Sequence, residues 1–398
     1  MTTTSIIVVG GCGHVGLPLG VALAESAGTV VLLDIAESAV ARVNGGDVPF
    51  LEPGLETALQ SVRAAGTLVA TTDPSCVSSA EVVVIVIGTP VDEHLNPDPN
   101  AVVAAIDEIA GHMRDGQLVV LRSTVYPGVT ALVERHLAAR GLTVDVAFCP
   151  ERIAEGKAME ELRSLPQIIG ATTDAARLRA RALFGTLTDT LIDTSPEEAE
   201  LAKLFTNTWR YIKFATANQF LMIANDHGLD FDRIRDAITL DYPRAADMPR
   251  AGFAAGPCLF KDTMQLAAFN DNGFHIGHAA MLVNEGLPLY VVSQIERDAD
   301  LSTLTVGILG MAFKAESDDI RSSLSYKLKR ILKFKAKAVL CTDPYVTAAT
   351  DASLVPLEEV LAQADILVIG APHPEYRGLE TQLPIKDVWG ITGRGVRL

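Results

Sequence analysis

Hydrophobic and polar positions along this chain alternate between short apolar runs and longer stretches with helical periodicity. Ser5-Ile6-Ile7-Val8-Val9 is a brief β-branched run that delivers the chain into a glycine turn, and Leu17 to Ala24 behind it has helical character. Thr29-Val30-Val31-Leu32-Leu33 repeats the strand signal and ends on Asp34. Val82 to Ile87, Leu118 to Leu121 and Val144 to Phe148 are near-continuous apolar runs, the pattern of strands covered on both faces of a parallel sheet. Strand and helix signals in this order predict a doubly wound α/β domain.

The middle of the chain reads differently. Ser195-Pro196-Glu197-Glu198 places an N-cap serine, a proline at the first helical position and a glutamate at the third, a capping box that opens a helix. That helix runs toward Asp226-His227-Gly228, roughly thirty residues or about 45 Å. Glu200, Lys203, Asn207 and Arg210 recur at helical steps and share one face, with Leu201, Leu204, Phe205, Thr208 and Ile212 as apolar neighbours. Such a stripe is either a solvated face or a row of side chains converging on one ligand.

The strand–helix pattern then restarts. Thr305 to Gly310, a helical stretch from Ser323 to Phe334, Ala338 to Cys341 ending near Asp343, Leu357 to Ala362 and Asp365 to Gly370 form a second set. The fold expected is α/β, with two Rossmann-like doubly wound domains joined by a long central helix. The domains run over 1–194, 195–300 and 301–398, the middle one helical and the last a second nucleotide-binding half.

Composition narrows the chemistry. The chain has 398 residues, 48% hydrophobic and 21% charged, with a formal net charge of -16. That acidity, with no basic stripe to hold phosphates, excludes nucleic acid and anionic membrane as partners. A small anionic substrate must then be held by a few local Arg, Lys and backbone N–H groups. The five cysteines are scattered without disulfide or zinc-ligand spacing, so no metal site is expected and a reducing cytoplasm fits. No basic leader or membrane-length apolar run is present in the sequence.

Two motifs carry chemistry. Gly11, Gly13 and Gly16 match GxGxxG between a strand and a helix, and Asp34 at the end of the next strand suits a ribose hydroxyl pair. A lone GxGxxG only shapes a tight turn; with strand, helix and acid in place it points to NAD rather than NADP. Cys258 sits in Gly252-Phe253-Ala254-Ala255-Gly256-Pro257-Cys258-Leu259-Phe260-Lys261-Asp262. It is either a small buried hydrophobe or a nucleophile that traps an aldehyde as a thiohemiacetal, whose oxidation gives a thioester that water cleaves to an acid. Polar loops also follow the sheet strands, at Gly88-Thr89-Pro90, Arg122-Ser123-Thr124 and Cys149-Pro150-Glu151-Arg152.

Taken in order, the motifs resemble the nucleotide-sugar dehydrogenase family typified by UDP-glucose and UDP-N-acetylmannosamine 6-dehydrogenases. They are Gly11 to Gly16, Thr89-Pro90, Ser123-Thr124-Val125 with Pro127-Gly128, and Pro150-Glu151 with Glu155-Gly156. Further on come Glu200-Leu201-Ala202-Lys203 with Asn207, Gly256 with Cys258 and Lys261-Asp262, and Phe313-Lys314 with Asp318 to Arg321. The resemblance implies a four-electron oxidation of the sugar C6 alcohol to a carboxylate, consuming two NAD, with Cys258 as nucleophile. It implies Lys203 and Asn207 at the oxyanion, and Asp262, Thr124 and Glu151 around the hydrolytic water, with Glu151 or Asp262 as the base.

Glu155, Arg244, Phe253 and Lys314 resemble substrate contacts. Gly11, Cys12, Gly13, His14, Val15, Gly16, Asp34, Thr89, Pro90, Ser123, Lys261 and Arg321 resemble cofactor contacts. A UDP-sugar partner and a homodimer on the central helix are also implied. The family's GGSC or GGHC is here Ala255-Gly256-Pro257-Cys258, its following Pro is Phe260, and Ala39 stands where an Arg is common. Arg152 and Tyr242-Pro243-Arg244 resemble the acetamido-sugar branch, so a UDP-N-acetylhexosamine of manno or gluco configuration is favoured. The alternatives are UDP-glucose oxidised to UDP-glucuronate, a single-step reductase with no use for Cys258, and a protein that binds both ligands without turnover.

Overall fold

In a computed structural model of the chain, which describes residues 4–89, 98–393 and 398, the first apolar runs become strands of one sheet. These are β1 (Thr4–Val9), β2 (Gly28–Leu33), β3 (Leu68–Thr71), β4 (Val82–Ile85), β5 (Leu118–Leu121), β6 (Asp145–Phe148), β7 (Gln167–Ala171) and β8 (Leu191–Thr194). Their order is β3-β2-β1-β4-β5-β6-β7-β8, every pair parallel except β6 with β7. Helices α1 (Gly16–Ser26), α2 (Glu37–Gly45), α3 (Leu55–Ala64), α4 (Asn100–Ala110), α5 (Val129–Ala139), α6 (Ala158–Ser164) and α7 (Asp174–Phe184) connect them.

Successive residues of β1 face opposite sides, so Ile6 and Val8 join one core while Ile7 and Val9 join the other. Strands β4 and β5 are buried at every position, as a sheet covered on both faces requires. The strand order reverses between β1 and β4, which opens a crevice at their carboxyl ends. Strand β4 stops at Ile85, two residues short of the apolar run, because the Ile87 N–H donates to the Ser123 hydroxyl instead of to a strand.

The chain divides into two compact units, Met1–Phe205 and Thr206–Leu398. Helix α8 (Pro196–Asp226) has 31 residues, of which those up to Phe205 belong to the first unit. Its capping box forms as read: the Ser195 N–H donates to Glu198, and the Glu198 N–H donates to the Ser195 hydroxyl.

The second unit adds α9 (Phe231–Thr239), α10 (Leu259–Phe269), α11 (His275–Asp298), α12 (Leu324–Lys335) and α13 (Leu357–Gln363). Its sheet is four parallel strands, β9 (Thr305–Leu309), β10 (Ala338–Thr342), β11 (Ile366–Ile369) and β12 (Ile385–Asp387), in the order β10-β9-β11-β12. Helix α12 carries Lys327, Lys329, Arg330, Lys333 and Lys335, and Glu285, Asp351 and Glu296 pair with Lys327, Lys329 and Lys335. Among the described residues no helix is long and apolar enough to cross a membrane.

Candidate active site

The three fingerprint glycines differ in what forbids a side chain. A Cβ on Gly11 would lie 2.7 Å from the Leu32 Cβ, and one on Gly16 would lie 2.4 Å from the Gly10 carbonyl oxygen, so both are demanded by packing. A Cβ on Gly13 would meet only the Gly10 oxygen at 3.9 Å. Among the described residues nothing excludes a side chain there; a pyrophosphate pressed against the turn would, and the site therefore fits a dinucleotide.

Asp34 is held in place for such a ligand. Its Oδ2 accepts from the Cys12 N–H at 2.9 Å and its Oδ1 from the Ala36 N–H at 3.1 Å. Cys12 is buried, and burial together with the nearby Asp34 carboxylate pushes its thiol up to about 12, so it is no nucleophile. His14 stacks on Phe50 with ring centroids 4.0 Å apart, while Val15 occupies the N-cap position of α1. Arg42 donates to the Val48 carbonyl at 2.8 Å.

The loops beyond β4 and β5 are tied together. The Ser123 hydroxyl accepts from Ile87 N–H at 2.8 Å, and the Thr89 hydroxyl donates to the Thr124 carbonyl at 2.6 Å. Both hydroxyls hold backbone and are largely buried, with Thr124 beside them less so. Pro90 lies outside the described residues.

Glu151, at the end of β6, is more completely engaged than its sequence position suggests. Arg122 Nε and Nη2 both donate to its Oε2, at 2.9 and 2.5 Å, while the N–H groups of Arg152 and Ile153 donate to its Oε1 at 2.7 and 3.0 Å. Arg122 is buried, reaches the Cys149 carbonyl and the Gln167 side chain, and lies over the Phe184 ring. These four donors fill the acceptor directions of the carboxylate and tie it to the loop. Arg122 is a residue the sequence reading passed over. Further along the same loop, Glu52 accepts from the N–H groups of Gly156 and Ala158, fixing the turn that carries Glu155.

Along the first turns of α8, Glu200 and Lys203 are both buried. Glu200 is not a ligand contact: its Oε1 accepts from Thr130 N–H and Oγ1, at 2.8 and 2.6 Å, and its Oε2 from Gly128 N–H at 2.6 Å. Burial raises its carboxyl above the ordinary range against those bonds. Lys203 is 8% exposed, and among the described residues no carboxylate lies within salt-bridge distance of it. A buried ammonium without a counter-charge is costly unless negative charge arrives with a ligand. Arg210, expected on the same stripe, is exposed, and so is Phe205, at 53%.

In the second unit, Asn207 Nδ2 donates to Asp262 Oδ2 at 2.6 Å. Asp262 is fully buried; its Oδ1 accepts no hydrogen bond and faces Lys261 Nζ at 3.7 Å. Cys258 is the N-cap of α10 and the exposed member of the five cysteines, with its own carbonyl accepting from the Asp262 N–H at 2.9 Å. A thiol at a helix N-terminus has its anion favoured by the helix dipole.

The loop leading to Cys258 is fastened at several points. Asn218 both donates to and accepts from the Gly252 backbone, at 3.0 and 2.8 Å, and also donates to Asn284. A Cβ on Gly252 would fall 2.2 Å from the Trp389 ring, and Gly256, at φ +101°, would place one 2.7 Å from the Phe313 ring. The Phe253 ring is packed in the core of this unit. Lys314 lies over the Phe313 ring, and Asp319 holds the Arg321 guanidinium through both carboxylate oxygens. Arg244 is exposed and stacks over Tyr242.

The second Rossmann-like sheet repeats the acidic residue of the first but spends it. Asp343 at the end of β10 accepts from the N–H groups of Met311, Ala312, Tyr345 and Val346 and from His373 Nε2. Burial alone would raise this carboxyl, but the bond from His373 and those from the amides outweigh it and leave it below the usual range. A ribose therefore finds no acceptor where Asp34 offers one.

Comparison with known proteins agrees over nearly the whole chain. The NAD binding domain of the UDP-glucose/GDP-mannose dehydrogenase family matches residues 5–188, the central domain 197–285 and the UDP binding domain 307–394. The chain is 30% identical to a UDP-N-acetyl-D-mannosamine dehydrogenase of Pyrococcus horikoshii, over 98% of this chain and 93% of that protein. It is 28% identical to the enzyme of the same description from Escherichia coli K12, over 95% of each. A solved UDP-glucose dehydrogenase of Pyrobaculum islandicum superposes with a TM-score of 0.92 at 29% identity, covering 99% of this chain and 98% of that one.

Proposed function

The chain belongs to the UDP-glucose/GDP-mannose dehydrogenase family, and from that premise we propose that it is an NAD-dependent UDP-sugar 6-dehydrogenase acting on a UDP-N-acetylhexosamine. The observation that carries this reading is Cys258, an exposed thiol at a helix N-terminus one turn ahead of a buried carboxylate. A single-step dehydrogenase has no use for that pair. The acetamido sugar is supported by Arg152, by Tyr242-Pro243-Arg244 and by the relatives named above. UDP-glucose is the second reading, favoured by the Pyrobaculum islandicum likeness.

The glycine turn at Gly11 to Gly16 and Asp34 would hold NAD, with Thr89, Ser123, Lys261 and Arg321 as further contacts. Bound NAD supplies the hydride acceptor for both oxidations. The Cys258 thiolate adds to the C6 aldehyde, forming the C–S bond of a thiohemiacetal whose oxyanion takes the Lys203 ammonium and the second N–H of Asn207. Loss of the C6 hydride then leaves a thioester on Cys258. Asp262, through the oxygen that accepts no hydrogen bond, takes a proton from water as water attacks the thioester carbon, and the C–S bond breaks to release carboxylate and thiol. Per sugar, two NAD and one water are consumed and two NADH and three protons are released. Glu151 holds the loop, and Thr124 beside it orients the water.

Lys314, Glu155 and Arg244 are read as substrate contacts, with residues 301–398 receiving the nucleotide, 1–194 the cofactor and 195–300 carrying the cysteine and the dimer contact. A homodimer on α8 is supported by Phe205, Trp209, Phe220 and Ile223, 53%, 57%, 44% and 52% exposed, which fall on one narrow face of that helix. A cytoplasmic setting fits five cysteines that form no disulfide.

The test is NADH released per product with UDP-glucose, UDP-GlcNAc, UDP-ManNAc and GDP-mannose, beside Cys258→Ala. Two NADH with an acetamido sugar, abolished in the variant, is the expected result. One NADH that survives the substitution refutes the mechanism, and no NADH with any sugar favours a binding protein.

A further inference from the structure

We infer that Glu200 is a positioning residue, a clasp that fixes the register of α8 against the loop between β5 and α5 and thereby sets Lys203 relative to Thr124. The inference rests on the reading of Lys203 as the oxyanion partner.

The loop from Ser123 to Thr130 is pinned at its front by Ser123 to Ile87 and by Thr124 to Thr89. At its rear it ends in Gly128, at φ +98°, the N-cap of α5, whose side-chain-free position offers nothing to the first N–H groups of the helix. Glu200 supplies the acceptor from another element: Oε2 takes the Gly128 N–H, and Oε1 takes the Thr130 N–H and hydroxyl. It is a capping carboxylate reaching across from α8 rather than one from its own chain segment.

Around that carboxylate the first turn of α8 packs on apolar groups. Ala199 shares a core with Val125, Val129 and Val133, and a Cβ on Gly170 would meet Ala199 Cβ and Pro196 Cα. Apolar surfaces resist separation but tolerate small slides, whereas three short hydrogen bonds to one carboxylate set position and rotation. Lys203 lies three residues further along the same helix, buried and, among the described residues, with no carboxylate within salt-bridge distance. Its ammonium is therefore placed by the clasp and not by a partner of its own. A misplacement of about 1 Å in such a group costs on the order of a hundredfold in rate.

In Glu200→Gln, either orientation of the amide turns an NH₂ toward a backbone N–H, so one of the Gly128 and Thr130 amides loses its acceptor. Thr130→Val removes only the hydroxyl donor and is the milder probe should the first variant fold poorly. The experiment combines steady-state kinetics of Glu200→Gln, Lys203→Ala and the double variant with hydrogen–deuterium exchange over residues 123–131.

Expected are a kcat lower by about ten- to a hundredfold in Glu200→Gln with KM for NAD within about twofold of the parent, a smaller loss of the same kind in Thr130→Val, and a double variant no slower than Lys203→Ala. Exchange at 128–131 rises in Glu200→Gln. Multiplicative losses in the double variant, or unchanged exchange at 128–131, overturn the inference. Exchange needs no turnover, so a parent protein that oxidises no sugar refutes the assigned function while the exchange result alone decides the clasp.

Discussion

Asn207 donates its side-chain amide to the fully buried Asp262 carboxylate at 2.6 Å, leaving Asp262 Oδ1 without a hydrogen bond and 3.7 Å from the Lys261 ammonium. Glu151, the other carboxylate the sequence offers as a base, has four donors on its two oxygens. The difference makes Asp262 the group with an acceptor to spare. Asp262→Asn is expected to slow thioester hydrolysis by about a hundredfold or more while the oxidations continue, so that the sugar accumulates on Cys258. Intact-protein mass spectrometry during turnover detects that adduct; its absence, with kcat unchanged, assigns the base elsewhere.

Arg122 and Glu151 form a buried pair whose loss is felt as instability. Arg122→Leu strands a carboxylate in the core and is expected to cost about 3–5 kcal/mol, readable by urea denaturation. Glu151→Gln keeps two acceptor directions and costs less.

The glycine turn separates ligand from packing. Gly13→Ala is expected to raise the Kd for NAD at least about tenfold, the equivalent of about 1.4 kcal/mol, with Tm unchanged. Gly16→Ala drives a methyl into the Gly10 carbonyl and is expected to cost about 1–3 kcal/mol of stability even without cofactor. Titration calorimetry and thermal melts on the two variants distinguish the effects.

The buried thiols give an alkaline signature. Burial pushes Cys12 and Cys149 up to about 12 from the ordinary 9.0, so the folded chain keeps protons that the unfolded chain has released. Their contribution is complete below pH 9 and fades as pH rises toward 12. Urea midpoints of the parent are therefore expected to fall over that window, and less steeply in Cys149→Ser. Iodoacetamide at pH 8 is expected to modify Cys258 first.

On α8, Trp209→Glu places a charge in the exposed apolar face and is expected to convert the proposed dimer to monomer in sedimentation velocity.

Much of this was legible from local pattern. The capping box at Ser195 and Glu198, the runs of β1 and β5, and β9, β10 and β11 of the second set depend on neighbours a few residues away and form at those positions, while β4 ends two residues early. Strand β8 escaped because Leu-Ile-Asp-Thr at a sheet edge is half-exposed and carries no apolar run. Helical spacing places Glu200, Lys203, Asn207 and Arg210 on one face, and the first three are buried, yet spacing cannot say what covers a face: Glu200 meets the start of α5, seventy residues back in sequence. Arg122 was passed over for the same reason, since its partners Glu151 and Gln167 are brought to it only by the order of the strands. Arg210 and Phe205 sit on the pattern but outside the protein's own packing.

The two aromatic wedges beneath the cysteine loop bear on how such enzymes are re-engineered. Gly252 rests on Trp389 and Gly256 on Phe313, both from the C-terminal Rossmann-like segment. A chimera that exchanges residues 301–398 to change nucleotide preference also exchanges the surface on which the Cys258 loop lies. Unless the donor supplies rings of the same size at both places, or its glycines come with it, the graft inherits a new base specificity together with a displaced thiol.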